Sequence, residues 1–116
     1  MSTQPLKIEG EDLAARLLVD KGWQIVARNW RCKIGELDIV ALDGGELIFV
    51  EVKARRSAGF GGPVGAVTFE KRRRIRKLAE VFIAWERPTF ETCRFDIVAI
   101  VFDGSGGDVE HLVDAF

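Results

Sequence analysis

Cysteine and histidine are scarce in this chain. Its two cysteines, Cys32 and Cys93, form no CxxC arrangement, and His111 is the single histidine. So few thiols exclude a disulfide framework and a cysteine-built zinc site, and they fit a reducing compartment. One histidine excludes a histidine-rich metal site and argues against a Ser-His-Asp triad. No uninterrupted apolar run approaches the roughly 20 residues that a membrane-spanning helix needs. Residues Met1 to Lys7 carry no h-region of a secretory signal, so the expectation is a cytoplasmic protein without membrane attachment. No GxxxxGK(S/T) is present, and 116 residues are few for a Walker-type ATPase domain. Linkers, repeats and low-complexity tracts are lacking too, so residues 1–116 read as one domain.

What is present is apolar enough to fold: 47% of the residues are hydrophobic and 30% charged. The formal net charge is only −1, but charge is segregated along the chain. Between Lys53 and Lys77 nine basic residues face one acid, Glu70, for a net +8, and the remainder nets −9. A charge run is most simply a solvated helix face. A segregated basic block beside carboxylates is also the electrostatic footprint of phosphate binding.

Periodicity gives the element order. Leu13, Ala14, Leu17 and Leu18 recur at helical spacing, which predicts a helix from Gly10 to Lys21 stopped by Gly22. Trp23 to Asn29 reads as a short strand and Trp30 to Lys33 as a turn. Glu36 to Leu42 and Glu46 to Lys53 have high β propensity, with Asp43-Gly44-Gly45-Glu46 as a tight hairpin turn between them. Ser57 to Gly65 is a glycine-rich loop containing Phe60, either packed or closing over a substrate. Thr68 is a candidate N-cap for a helix reaching about Trp85, whose apolar stripe is Ile75, Leu78, Ala79 and Phe82. Pro88 marks its exit. Arg94 to Phe102 is a near-continuous apolar strand, expected to be buried on both faces. Val109 to Val113 would add an edge strand. The order α-β-β-β-α-β, with a final β, predicts an α/β fold: a mixed central sheet flanked by helices.

The hairpin makes a chemical prediction. With a two-residue loop, Asp43 pairs with Glu46, Asp38 lies across from Glu51, and Glu36 across from Lys53. Alternation then places Glu36, Asp38, Glu51 and Lys53 on one face. Opposed like charges destabilise a sheet, and a divalent cation with oxygen ligands would compensate them. On a helical wheel Glu11 lies about 20° from Leu18, at the edge of the apolar face, close enough to join the cluster. Lys71 shares a face with Ile75 and Leu78 and so projects toward the sheet, where a carboxylate is its natural partner. Arg72, Arg73, Arg76 and Lys77 fall on the exposed side. A cross-strand ion-pair network explains any one of these residues alone; the ensemble favours a metal site.

The same residues resemble the PD-(D/E)xK, restriction-endonuclease-like superfamily, whose core order is αβββαβ. Over about residues 9 to 116 the chain more closely resembles the YraN-like family of predicted bacterial endonucleases, related to archaeal Holliday-junction resolvases. The resemblance rests on Gly10-Glu11-Asp12-Leu13-Ala14-Ala15, Gly22-Trp23 through Arg31, Gly35-Glu36-Leu37-Asp38-Ile39-Val40-Ala41 and Phe49-Val50-Glu51-Val52-Lys53-Ala54-Arg55. It continues through Phe60-Gly61, Lys71, Arg94-Phe95-Asp96 and His111 to Phe116. Leu37 stands where the superfamily has proline. The resemblance implies Asp38 and Glu51 as ligands of Mg²⁺ or Mn²⁺, Lys53 as the catalytic lysine, Glu11 as a further ligand and Lys71 as a supporting residue.

The expected activity is endonucleolytic hydrolysis of DNA, selective for structure such as a branch or junction, because no base-reading code is evident. Arg55, Arg56, Arg72, Arg73, Arg76 and Lys77 would track the phosphates. Symmetric cutting needs two sites, hence a homodimer. Two alternatives stay open: a catalytically silent nucleic-acid-binding module of a repair, recombination or uptake complex, and a protein-interaction domain whose arginines bind an acidic partner. Trp23, Trp30 and Trp85 read as core or half-buried anchors, and Cys32 and Cys93 as small core or surface residues. His111 reads as structural, paired with Asp114 or a backbone carbonyl.

Overall fold

A computed structural model describes residues 5–56, 67–102 and 107–116. The elements are α1 (Leu6–Asp20), β1 (Gln24–Cys32), β2 (Gly35–Asp43), β3 (Glu46–Arg55), α2 (Phe69–Glu86), β4 (Thr92–Phe102) and β5 (Gly107–Leu112). The strands form one sheet in the order β1-β2-β3-β4-β5. Only the β3/β4 pair is parallel, as its connection through α2 requires. This is the expected mixed sheet flanked by helices, with the expected fifth strand at one edge, and it is compatible with a restriction-endonuclease-like core.

Alternation along β3 divides the interior. Leu47 and Phe49 pack with Leu78 and Phe82 of α2, whereas Ile48 and Val50 pack with Ala14 and Leu18 of α1. The stripe Ile75, Leu78, Ala79 and Phe82 is buried as its spacing predicts. Thr68 caps α2, its hydroxyl accepting from the Lys71 N–H at 3.2 Å. Helix α1 lies tightly on β3: a Cβ at Gly10 would come within 2.6 Å of the Ala54 Cβ. Only glycine permits that approach, and it brings the next residue, Glu11, down beside the sheet.

Several boundaries differ from expectation. Helix α1 begins at Leu6, a turn early, because the Pro5 carbonyl already accepts from the Glu9 N–H at 3.0 Å. Strand β1 does not end at Asn29. Asn29 takes a left-handed φ of 52°, yet pairing resumes with Trp30↔Leu37 and Arg31↔Glu36, so residues 30–32 are strand rather than turn. Strand β4 starts two residues early, and β5 spans Gly107–Leu112. Trp85 is neither core nor half-buried but 78% exposed. The last turn of α2 overhangs β1, the outermost strand on that side, where no further strand covers it. The predicted loop Ser57 to Gly65, with Phe60, lies outside the described residues.

The hairpin register is as predicted from Asp43↔Glu46 to Ile39↔Val50, with Gly44 at φ +60° in the turn. Beyond that point the ladder stops. Leu37 packs with the α2 cluster and Ile39 with the α1 cluster, although residues two apart in a regular strand share a face. The alternation therefore breaks at Asp38, and the predicted pairs Asp38↔Glu51 and Glu36↔Lys53 do not form. The Asp38 carboxylate instead accepts from the Val52 N–H at 2.9 Å. β3 stays paired with β4 as far as Arg55, so β2 and β3 part into a fork on one side only.

On β4, beside Val50 of β3, Asp96 is fully buried and fully partnered. Arg94 donates to both its oxygens at 2.9 and 3.1 Å, and the Asp114 N–H donates at 2.9 Å. His111 Nε2 lies 2.8 Å from Asp96, and its Nδ1 lies 2.7 Å from the Lys21 ammonium. An ammonium can only donate, so Nδ1 accepts and Nε2 carries the proton given to Asp96. His111 is structural as expected, but its partners are Asp96 and Lys21 rather than Asp114 or a carbonyl.

Candidate metal centre

The fork gathers the acidic residues. Glu11 descends from α1, and Glu36 and Asp38 come from the diverging end of β2. Each offers a carboxylate oxygen, and these oxygens lie within 4.8 Å of one another. Glu36 and Asp38 line a cavity of about 560 Å³ together with Glu51, Lys53, the first-turn Lys71 of α2, Leu6 and Lys7.

Glu11 is only 2% exposed, and its Oε2 has no hydrogen-bond partner among the described residues. Lys7 Nζ lies 3.8 Å from that oxygen. Burial, and then the charge of Asp38, raise the Glu11 pKa; a hydrogen bond with Asn29 opposes them in part. Asp38 is 7% exposed. Burial first, then the charge of Glu51, push its pKa up to about 7, with the Val52 N–H pulling the other way. Glu36 is held by Lys7 Nζ at 3.2 Å and Arg31 Nε at 3.1 Å. Crowded, poorly hydrated carboxylates of this kind are stable as anions only with a cation among them.

The basic members form a second layer. Lys53 Nζ lies 3.5 Å from Glu51 Oε1. The Lys71 side chain lies against that of Lys53, and that contact, followed by burial, lowers the Lys71 pKa, while Glu51 and Asp38 act against it. Two ammonium groups this close repel each other, which disfavours charge on Lys71.

All five residues expected at the centre, Glu11, Asp38, Glu51, Lys53 and Lys71, therefore meet in or beside one cavity. The triad with mutually close oxygens is Glu11, Glu36 and Asp38, however, whereas Glu51 is engaged by Lys53. The expected alternation places Glu36 on the same face as Asp38, Glu51 and Lys53 but gives it no ligand role. Its position two residues before Asp38, with a side chain of the same chemistry, was the available signal.

The expected phosphate-tracking residues are more scattered. Arg73 and Arg56 are exposed, but Arg55 is half-buried at the end of β3. Arg72 is also half-buried, its Nε donating to the Val67 carbonyl at 3.0 Å. Its expected place on the exposed face is corrected by that bond, which turns the side chain back over the helix N-terminus. Arg76 stacks over the Phe95 ring at 4.9 Å, and Lys77 pairs with Glu80 at 3.4 Å. No helix among the described residues is long and apolar enough to cross a membrane.

Comparison with known proteins bears on the family. A relative in Nocardia farcinica, named a UPF0102 protein, is 49% identical over 97% of this chain and 90% of its own length. Proteins of the same name in Dictyoglomus thermophilum (44% identical, 92% of each chain) and Geobacter metallireducens (41% identical, 100% of this chain and 95% of the relative) are as fully aligned. Residues 10–100 match the family described as "Uncharacterised protein family UPF0102". That span includes Glu11, Glu36, Asp38, Glu51, Lys53 and Lys71, and the chain belongs to this family, the YraN-like family of the resemblance above.

Proposed function

We propose that this protein is a divalent-metal-dependent endonuclease that hydrolyses phosphodiester bonds in DNA, selecting substrates by structure rather than by sequence. The observation that carries the reading is the buried Glu11 carboxylate, with one oxygen lacking a hydrogen-bond donor among the described residues, gathered with the carboxylates of Glu36 and Asp38. A buried carboxylate oxygen without a donor is costly, and hard oxygen donors in this number and spacing suit Mg²⁺ or Mn²⁺. Glu11, Glu36 and Asp38 would hold the ion, with Glu51 at the cavity wall as a further donor. Such an ion, when bound, polarises the scissile phosphate and acidifies a water for in-line attack.

The protein's own groups do the rest. Asp38 is held in place by the Val52 N–H. Lys53, free to turn from Glu51, presents its ammonium to a non-bridging phosphate oxygen, where negative charge grows in the transition state. Lys71 lines the same cavity beside Lys53 and would offer the phosphate a second donor.

The test compares wild type with Glu51→Gln on supercoiled plasmid, linear duplex, single strand and four-way junction, each with Mg²⁺, Mn²⁺ or EDTA. Cleavage that requires the ion and falls at least 100-fold in the variant is expected. Cleavage persisting at the wild-type rate in Glu51→Gln overturns the assignment. Salt-sensitive binding without cleavage by any preparation would favour the silent binding module.

A further inference from the structure

Phe69 is 73% exposed in the first turn of α2. An exposed apolar residue alone means little, but Phe69 is not alone. One turn on, the Arg73 guanidinium lies over its ring, 6.0 Å from the centroid, and among the described residues no carboxylate pairs with Arg73. Six basic residues fall between Lys71 and Lys77. On the wheel Phe69 and Arg73 share the outer face, while Lys71 points the other way into the cavity. A helix with its side chains is about 10–12 Å across. The ring therefore stands at the same end of α2 as the candidate metal centre, within a few nucleotides' reach of a phosphate held there.

We propose that Phe69 and Arg73 form a stacking platform for an unpaired nucleobase, so that the preferred substrate carries a single-stranded segment next to the scissile bond. This rests on the nucleic-acid reading above and adds a substrate class to it. A base inside a duplex already has neighbours on both faces and offers none to Phe69. An unpaired base offers an open π-face to the side of the ring that Arg73 leaves uncovered, while the Arg73 charge attracts its phosphate, the combination of aromatic and cation that single-strand-binding surfaces use. Stacking is tolerant of base identity, in keeping with recognition of shape.

Fluorescence anisotropy with labelled oligonucleotides, in EDTA so that nothing is cut, tests the platform. The ligands are a single strand, a blunt duplex of the same sequence and that duplex with a single-stranded overhang. Phe69→Ala should weaken the first and third by about 5- to 100-fold, the loss expected for one base–aromatic stack. Blunt-duplex affinity should change less than twofold. Phe69→Trp should restore binding. Phe69→Leu, which keeps apolar bulk without a π-face, should behave as Ala and decides the matter if the alanine variant folds poorly. Equal loss on duplex and single strand, or no loss on either, overturns the platform and leaves the nuclease reading standing. Failure of the wild type to bind any of the three ligands, both in EDTA and with Ca²⁺ in place of Mg²⁺, overturns both.

Discussion

Removing the charge of Asp38 should stabilise this protein when no metal is present. Ordinary aspartate titrates near 3.8, and in the folded protein burial and Glu51 raise the value to about 7. The folded state therefore keeps a proton that the unfolded chain releases. Stability from this group is fully present below pH 4, falls as pH rises, and is lost once pH passes about 7. A rise of that size corresponds to about 4 kcal/mol. Because Glu51 shares the repulsion, about 2 kcal/mol is a sounder expectation for one substitution. Asp38→Asn keeps the shape and an oxygen for the Val52 N–H. In EDTA at pH 8 it should melt roughly 10 °C above wild type, and the gap should nearly close at pH 4. Adding millimolar Mg²⁺ or Mn²⁺ should reverse the order, because only wild type gains the stabilisation of ligand binding. Thermal melts followed by circular dichroism at both pH values, with and without the ion, measure all of this. A variant that melts below wild type at pH 8 in EDTA, or a gap independent of pH, would refute the reasoning.

Two further substitutions test how the scaffold holds the site. Gly10→Ala drives a methyl into Ala54; it should cost about 1–3 kcal/mol in denaturant unfolding and, by lifting Glu11 off the sheet, depress metal-dependent cleavage as well. Thr68→Ala removes the cap on the Lys71 N–H and should lower stability by about 1 kcal/mol, with fraying of the first turn of α2 visible as faster amide exchange near Lys71.

The hairpin was legible because a two-residue turn fixes its own register, and Gly44-Gly45 admits few alternatives. Glu11 was legible because its angle to Leu18 does not depend on tertiary detail. The fork was not. Leu37 and Ile39 are both apolar, so the pattern is the same whether they share a face or straddle the sheet; only the packing of Leu37 against α2 reveals the break. The ends of β1 were obscured by Asn29, whose left-handed backbone looks like a strand stop and proves to be an interruption. The exposure of Trp85 depends on where α2 runs relative to the sheet edge, which periodicity does not carry. The Asp96 network joins Lys21 just after α1, Arg94 on β4, His111 on β5 and Asp114 beyond it. No local signal pairs such residues, although a fully buried aspartate implied that partners had to exist.

The fork leaves the Val52 amide bonded to a carboxylate where its neighbours in the ladder bond to carbonyls. An amide proton is sensitive to the charge of its acceptor, and this acceptor belongs to the group that changes most when the cavity gains or loses a cation. The Val52 resonance in a nitrogen–proton correlation spectrum is thus a built-in indicator. One backbone signal follows protonation of Asp38 and the arrival of an ion, with no label near the site and no need for turnover.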